Sequence, residues 1–385
     1  MCYNILVMKK HAIIPIFIPH RGCGHSCVFC NQKAITARTD DVTPEDVRQV
    51  LDQWLSTMQR LDGSGRGLDT IEAAFYGGSF TGLPMEEQAA FLAVTKEYKD
   101  LGKIDKIHLS TRPDYIDVPI LDQLSAYGVD IIELGVQSFD PEVLAASRRG
   151  HTADDVYRAC DLIKSYGFEL GIQLMIGLPG DSLEKCIDSA RRTVEIGPSL
   201  ARLYPTVVLE DTELARQYAA GLYHPLSTEE AVAITKEMYR ILDDAGITIL
   251  RVGLKSTDLI SETSENSRTC GHSFHPAFRQ LVEGELARED LEHQLQAFLA
   301  GSTEANTGST EASPGSTEVN VRSTAPAESP VPACRLTFSS CGESFSNMIG
   351  HGGANKKYFS EKYPSLSIRY CVDPDLPRGT YRVSC

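Results

Sequence analysis

Seven short apolar runs recur between residues 12 and 252, each separated from the next by a stretch whose apolar residues fall three and four apart. The runs are AIIPIFI, TIEAAFY, IDKIHLS, VDIIELG, ELGIQLMI, ARLYPTVV and ITILRV. Between them lie amphipathic stretches such as PEDVRQVLDQWLSTMQ and TEEAVAITKEMYRILDDAG. A strand followed by a helix pairs with the next strand in parallel, and near-continuous apolar strands are those covered by helices on their faces. The pattern therefore predicts the α/β class, with six or seven βα units forming an open or partial (β/α)6-type barrel. Thr43 before Pro44, Glu45 and Asp46 supplies a helix cap just after the first such junction.

A barrel of this kind needs about 250 residues, and the chain has 385. We divide it into a barrel (1–260), a helical or loop extension (261–300), a linker (301–332) and a small C-terminal module (333–385). In the linker GSTEA, GSTEA and GSTEV recur at 301, 308 and 315. With almost no large apolar residue it is expected to stay disordered. The module reads as strand, glycine-rich turn, helix and strand, a small α+β appendage. It holds seven Lys or Arg against four acids, whereas residues 283–328 carry nine acids and two arginines.

A net charge of -15 opposes nucleic-acid binding unless bases gather on one face. Eleven cysteines in a chain too large to need disulfide staples point to a reducing, cytoplasmic setting with metal or catalytic thiols. The apolar run AIIPIFIP is too short for a bilayer, so no membrane partner is expected. Cys160, Cys186 and Cys270, and the module's Cys334, Cys341, Cys371 and Cys385, are read as incidental or buried thiols. The cluster Cys270, His272 and His275 belongs to a loop docked on the barrel mouth, with a metal or substrate role as the alternative.

Immediately after the first run, HRGCGHSCVFCNQ places Cys23, Cys27 and Cys30 in C-x3-C-x2-C spacing. Three thiolates can hold three irons of a 4Fe-4S cube and leave the fourth iron open. Zinc is the alternative, with His20 or His25 as a fourth ligand. The loop sits at the strand end where barrel active sites lie. Other polar or glycine-rich strand ends reach the same rim: Gly77, Gly78 and Ser79; Thr111, Arg112 and Asp114; Glu133 and Gln137; Gln173; and Gly177 in GLPG. Each of these serves either a ligand or a structural hydrogen bond. Tyr204, closing the sixth run, meets a substrate or packs the rim.

Taken in order, IPHRGCGHSCVFCNQ, FYGGSFTGLP, STRPDYID, ELGVQSFDPEVLAASRRGHT, QLMIGLPG and YPTVVLEDT resemble the radical S-adenosylmethionine (SAM) superfamily. Within it they resemble the catalytic subunit of Elongator, which modifies tRNA wobble uridines. The resemblance covers about residues 10 to 255. It implies a 4Fe-4S cluster on Cys23, Cys27 and Cys30, and SAM chelating the open iron through its amino and carboxylate groups. Gly77, Gly78 and Ser79 then meet the methionine ammonium, Gln137 and Gln173 the adenosyl part, Arg149 the carboxylate and Gly177 the adenine, with Thr111 and Glu133 as further SAM contacts. It also implies an electron donor such as ferredoxin or flavodoxin, and tRNA as the substrate. Two departures stand out: the stretch after the barrel is expected to be too short for an acetyltransferase domain, and Arg202 precedes LYP where the Elongator pattern has lysine. Radical chemistry on a small metabolite or cofactor, or a redox or scaffold role for the cluster, are the competing readings.

Overall fold

The computed structural model describes residues 11–18, 21–31, 42–58, 67–257, 259–261, 264–271, 274–307 and 335–385. They form two compact units, Met1–Pro276 and Ala277–Cys385.

All seven expected strands are present in the first unit: β1 (His11–Phe17), β2 (Thr70–Tyr76), β3 (Lys106–Thr111), β4 (Ile131–Gln137), β5 (Glu169–Ile176), β6 (Leu200–Pro205) and β7 (Thr248–Val252). They pair in chain order and in parallel throughout, an open half-barrel with β1 and β7 at its edges. Pro15 lacks an N–H, and an edge strand tolerates this. Helices connect the strands, among them α1 (Pro44–Thr57), α2 (Met85–Asp100), α3 (Val118–Ala126), α4 (Pro141–Ala146), α5 (Ala153–Ser165), α6 (Leu183–Ile196), α7 (Glu213–Ala219) and α8 (Thr228–Asp244). The cap expected at Thr43 forms as a reciprocal box with Asp46. Between sheet and helices lie Ile71, Phe75, Leu92, Ile107, Leu121, Ile132, Ile172 and Leu203, all essentially inaccessible to solvent. Beyond β6, Val208–Leu209 pairs antiparallel with Thr269–Cys270, so the Cys270 loop docks on a strand extension at the barrel mouth. His20 and His272 lie outside the described residues.

The second unit is α+β. A long helix, α9 (Phe278–Thr307), accompanies β8 (Leu336–Ser340), α10 (Phe345–Ile349), α11 (Ala354–Lys362), β9 (Ile368–Val372) and β10 (Tyr381–Ser384). Strand β8 is central, parallel to β9 and antiparallel to β10. Leu291 and Leu295 of α9 share a core with Phe338, Met348, Phe359 and Tyr381. The helix set apart as an extension in the sequence thus belongs with the C-terminal module, because its apolar stripe covers that module's sheet. Residues 301–307, expected to open the linker, continue the helix, since extending a formed helix costs far less than nucleating one. The rest of the linker, and Cys334, lie outside the described residues.

The joining of helix and module also changes the charge argument. Five acids and two arginines on 277–300 cancel the surplus of three bases on 335–385. Individual contacts carry this out: Lys362 and the hydroxyls of Tyr358 and Tyr363 all bind Glu292, and Asn347 binds Glu283. Cys341 and Cys371 are free thiols, and Cys385 is disulfide-bonded.

Candidate active site

Glycines decide where the cysteine loop lies. Beyond Gly77, whose φ is +97°, a Cβ on Gly78 would fall 2.3 Å from the Arg21 carbonyl oxygen and 2.7 Å from that of Ile18. One on Gly22 would fall 2.0 Å from the Ser79 carbonyl oxygen, and one on Gly82 1.9 Å from that of Gly22. These separations are far inside van der Waals contact, so the loop and the turn after β2 interlock backbone against backbone. Ser79 N donates to Arg21 O at 3.1 Å, and Gly24 N donates to the Tyr115 hydroxyl at 2.9 Å. On the other side Val28 N donates to Ser147 O at 3.2 Å, and Leu214 N to Val28 O at 2.8 Å.

Of the three loop thiols Cys23 is exposed, and Cys27 and Cys30 are half-buried. Cys23 Sγ lies 3.4 Å from Ser79 Oγ, and Arg149 Nη1 donates to Cys27 Sγ at 3.1 Å. A guanidinium on sulfur is a charge-assisted donor to any anionic group built on that sulfur. Arg149 is itself buried and held: it donates to Gly135 O, while Arg112 donates to the Arg149 carbonyl. Arg112 is locked in turn by a two-pronged pair with Asp114 at 3.0 Å on each prong. A mononuclear metal needs ligands converging on one point, and among the described residues no three His, Cys, Asp or Glu side chains do so. A cube takes each thiolate on a different iron. The other cysteines differ: burial pushes the Cys160 thiol up to about 12, and burial beside Asp181 pushes Cys186 up as well.

Three of the expected residues are gathered around Gly135. Gln173 Nε2 donates to Gln137 Oε1 at 3.3 Å, and a Cβ on Gly135 would lie 3.0 Å from Gln137 Nε2 and 3.5 Å from Arg149 Nη2. Gln137 has φ +69° where the β4–β5 register shifts. Such a conformation costs a non-glycine residue about 1–3 kcal/mol, a strain that tends to collect at functional sites. Gly177 is pinned from both sides, its N–H donating to Asp181 Oδ2 at 2.9 Å and its carbonyl accepting from the Tyr223 hydroxyl at 2.6 Å. Burial raises the Asp181 carboxyl above the usual range.

Thr111 and Glu133 are engaged elsewhere. Thr111 Oγ1 meets Thr81 Oγ1 at 2.6 Å, tying β3 to the turn after β2. Glu133 Oε2 lies 2.7 Å from Arg202 Nε, a close ion contact although that N–H is not aimed along it. Ser110 donates to the other oxygen of Glu133 at 3.1 Å. An ionised carboxylate inside a barrel takes the nearest cation, and here that cation is on β6.

This pair opens onto a network that the sequence analysis did not single out. His108 Nδ1 bonds Glu72 Oε1 at 2.5 Å, His11 bonds the other oxygen of Glu72 at 3.0 Å, and His108 Nε2 lies 3.8 Å from Glu133. Arg202 also donates to the Tyr76 hydroxyl, and its Nη1 is 3.4 Å from the Tyr204 hydroxyl. Burial would raise the Glu72 carboxyl, but the bonds from His108 and His11 outweigh it and hold the group at about 2. Burial likewise opposes the charge on Arg202, and Glu133, Tyr204 and Tyr76 together more than offset it. A signal was present in the sequence: the third residue of β2, β3, β4 and β6 is Glu72, His108, Glu133 and Arg202, a charged or titratable side chain at the same strand position each time.

Comparison with known proteins agrees with this geometry. Residues 17–193 match the radical SAM superfamily and residues 198–288 the radical SAM C-terminal domain. The tRNA uridine(34) acetyltransferase of Methanocaldococcus infernus is 27% identical over 292 residues, 64% of this chain and 54% of that protein. Elongator complex protein 3 of Homo sapiens is 26% identical over 288 residues, 63% and 53% of the two chains. This chain thus spans about half the length of the curated relatives it matches. The solved structure of archaeal Methanocaldococcus infernus Elp3 with an N-terminal deletion shares the fold, with a TM-score of 0.50 at 22% identity over 65% of this chain and 61% of that one. With two adjoining family matches laid over the half-barrel and its cysteine loop, the chain belongs to the radical SAM superfamily, whose members are enzymes that use a 4Fe-4S cluster and SAM.

Proposed function

We propose that this chain holds a 4Fe-4S cluster on Cys23, Cys27 and Cys30, cleaves SAM reductively, and uses the result to modify a base of tRNA. The observation that carries the reading is Arg149 on the Cys27 sulfur, within a three-cysteine loop wedged in place by Gly22, Gly78 and Gly82. When bound and reduced by a ferredoxin or flavodoxin, the cluster and SAM supply a 5′-deoxyadenosyl radical that abstracts hydrogen from an unactivated carbon. The chain's own part is to hold, orient and exclude water. Three thiolates leave one iron without a protein ligand. Gln137 and Gln173 offer amide donors and acceptors to ribose hydroxyls. The loop from Gly177 to Gly180, fixed by Asp181 and Tyr223 with Leu178 buried beneath it, offers a rigid apolar seat for adenine. Gly77, Gly78 and Ser79 offer backbone polar groups to the methionine end.

Transfer RNA is supported by relatives named for uridine(34) modification. The proposal stops at the base and does not extend to acetyl transfer, because the matched region is residues 17–288. A cytoplasmic site fits this substrate, and among the described residues no helix is long and apolar enough to cross a membrane. A small-molecule substrate is the second reading. The charge of -15, and the cancelling of the module's basic surplus by α9, favour it.

Anaerobic reconstitution tests the proposal. One cluster per chain is expected, with 5′-deoxyadenosine formed slowly from SAM under strong reduction even without substrate. Cys27→Ala should lose the cluster, while Cys160→Ala should keep it. A normal cluster in Cys27→Ala, by iron content and visible absorbance, overturns the ligand assignment. Intact SAM in the reduced wild type leaves a redox or scaffold role.

A further inference from the structure

The turn that follows α4 is shaped around one side chain. Arg149 stands between two residues of positive φ, Arg148 at +52° and Gly150 at +78°. Strain of the kind seen at Arg148 persists only where the surrounding structure over-determines a position. Gly150 admits no side chain at all, since a Cβ there would fall 2.4 Å from Cε1 of His25 in the cysteine loop. On the barrel side Gly135 leaves room for Nη2, which donates to the Gly135 carbonyl. Turn and cysteine loop therefore close on each other, and Nη1 is delivered to Cys27 Sγ at 3.1 Å.

Charge decides what the guanidinium is for. A guanidinium keeps its charge inside a protein, and arginine is seldom fully buried unless it is paired. Arg112, 3% exposed, has its carboxylate in Asp114, which also stands 4.0 Å from His25. Arg149, 6% exposed, has no ion-pair partner among the described residues, and its Nε meets no acceptor. Two buried guanidiniums thus share one carboxylate, and the surplus positive charge faces Cys27. The surplus is felt behind it as well, where burial and then Arg149 and Arg112 depress the His151 imidazole. Cys23, by contrast, meets a neutral group, the Ser79 hydroxyl at 3.4 Å.

We propose that Arg149 is a positioning residue that sets the reduction potential of the cluster, by holding a charged donor on the Cys27 sulfur. This rests on the radical SAM reading above, and it assigns Nη1 to the sulfur whatever contact SAM makes with Nε. On reduction one electron passes from a ferredoxin- or flavodoxin-class donor, which is oxidised, and the cluster region gains one negative charge with no bond made or broken. A positive donor at a ligating sulfur stabilises that more negative state and raises the potential, because hydrogen bonds to the sulfurs and net charge are among the factors that set it.

The test is a redox titration of the anaerobically reconstituted full chain without SAM, following the reduced cluster by electron paramagnetic resonance. Arg149→Met removes the charge and the donor, and its midpoint should fall by about 59 mV or more, a tenfold change in the ratio of reduced to oxidised protein for a one-electron couple. Arg149→Lys keeps the charge without the fork, and should fall by less. Arg148→Met takes a charge from the exposed neighbour, where solvent screens it, and should leave the midpoint in place. Iron content is read on each variant. A wild-type midpoint in Arg149→Met overturns the inference and leaves Arg149 to a bound anion, and an equal fall in Arg148→Met overturns it in favour of a general charge effect. Should Arg149→Met assemble no cluster, the fall in Arg149→Lys carries the test, and a wild-type midpoint there overturns it. Iron lost from both Arg149 variants also overturns it, in favour of a role in building the loop. A wild type that takes up no cluster removes the radical reading itself, and this inference with it.

Discussion

The barrel mouth and the second unit both contain glycine-rich turns and free cysteines, yet the two are built differently. At the mouth, Gly22, Gly78 and Gly82 press against the backbone of another segment. In the second unit, Gly352, Gly353 and Gly379 have positive φ but open space where a Cβ would go. The first set is required by close approach of two backbone segments and the second only by turn geometry. The thiols divide in the same way: Cys27 receives a buried arginine, whereas Cys341 meets the hydroxyl of its near neighbour Ser344. Glycines and cysteines in a sequence mark turns and thiols in both places, but only where tertiary structure closes on them do they make a site.

The sharpest way to break that comparison is to add one methyl group on each side. Gly22→Ala places a Cβ 2.0 Å from the Ser79 carbonyl oxygen, which no rotamer relieves. It should displace the loop and abolish cluster assembly. Gly352→Ala pays only for a left-handed residue, about 1–2 kcal/mol, and should leave iron content unchanged. Iron per chain in the two proteins decides. A normal cluster in Gly22→Ala would show that the interlock does not set the loop.

A smaller effect separates the two cores. Phe338 is fully buried, edge-on to Phe359 and Tyr370, in a cluster drawn wholly from residues 287–383. Phe338→Ala should cost about 3–5 kcal/mol, which is enough to melt a unit of this size early. Loss of protease resistance confined to residues beyond 276, with cluster content preserved, is the expected result. Loss of the cluster at the same time would mean that the units are not separable.

Much of this was legible in sequence, and the reasons differ by element. The strands were, because parallel strands covered on both faces read as apolar runs, and the Thr43–Asp46 box was, because it is local. The thiol loop was, since three cysteines lie within eight residues. Arg149 on Cys27 was not, because the two are 122 residues apart and only the strand order brings them together. Glu133 was expected at the mouth because a strand-end carboxylate looks available, and the space at Gly171 that turns it toward Arg202 is invisible without register. The module's basic surplus vanished once α9 joined it, since charge counted along a segment says nothing about which acids it folds against.

The smallest effect is the one that pH brings to the mouth alone. His151 and His108 are the buried histidines among the described residues, both in the first unit. His151 Nε2 lies 3.2 Å from the Val136 carbonyl. Burial and then the positive charges of Arg149 and Arg112 hold this imidazole down at about 4, against the opposite pull of Asp114. A base whose folded value is lowered takes up its proton more readily when unfolded, so stability falls as pH drops from about 6.5 toward about 4. Over the whole window the loss is about 3 kcal/mol. Glu72, held at about 2, contributes stability that is lost only as pH falls from its ordinary 4.5 toward 2, so the two windows barely overlap. The chain's single tryptophan, Trp54 on α1, reports the first unit by fluorescence during urea unfolding. His151→Gln, which keeps a donor for Val136, should flatten the dependence between pH 6.5 and 4 and leave the lower window as it was. If the variant kept the wild-type slope there, the charge that Arg149 presents at Cys27 would not be felt at His151.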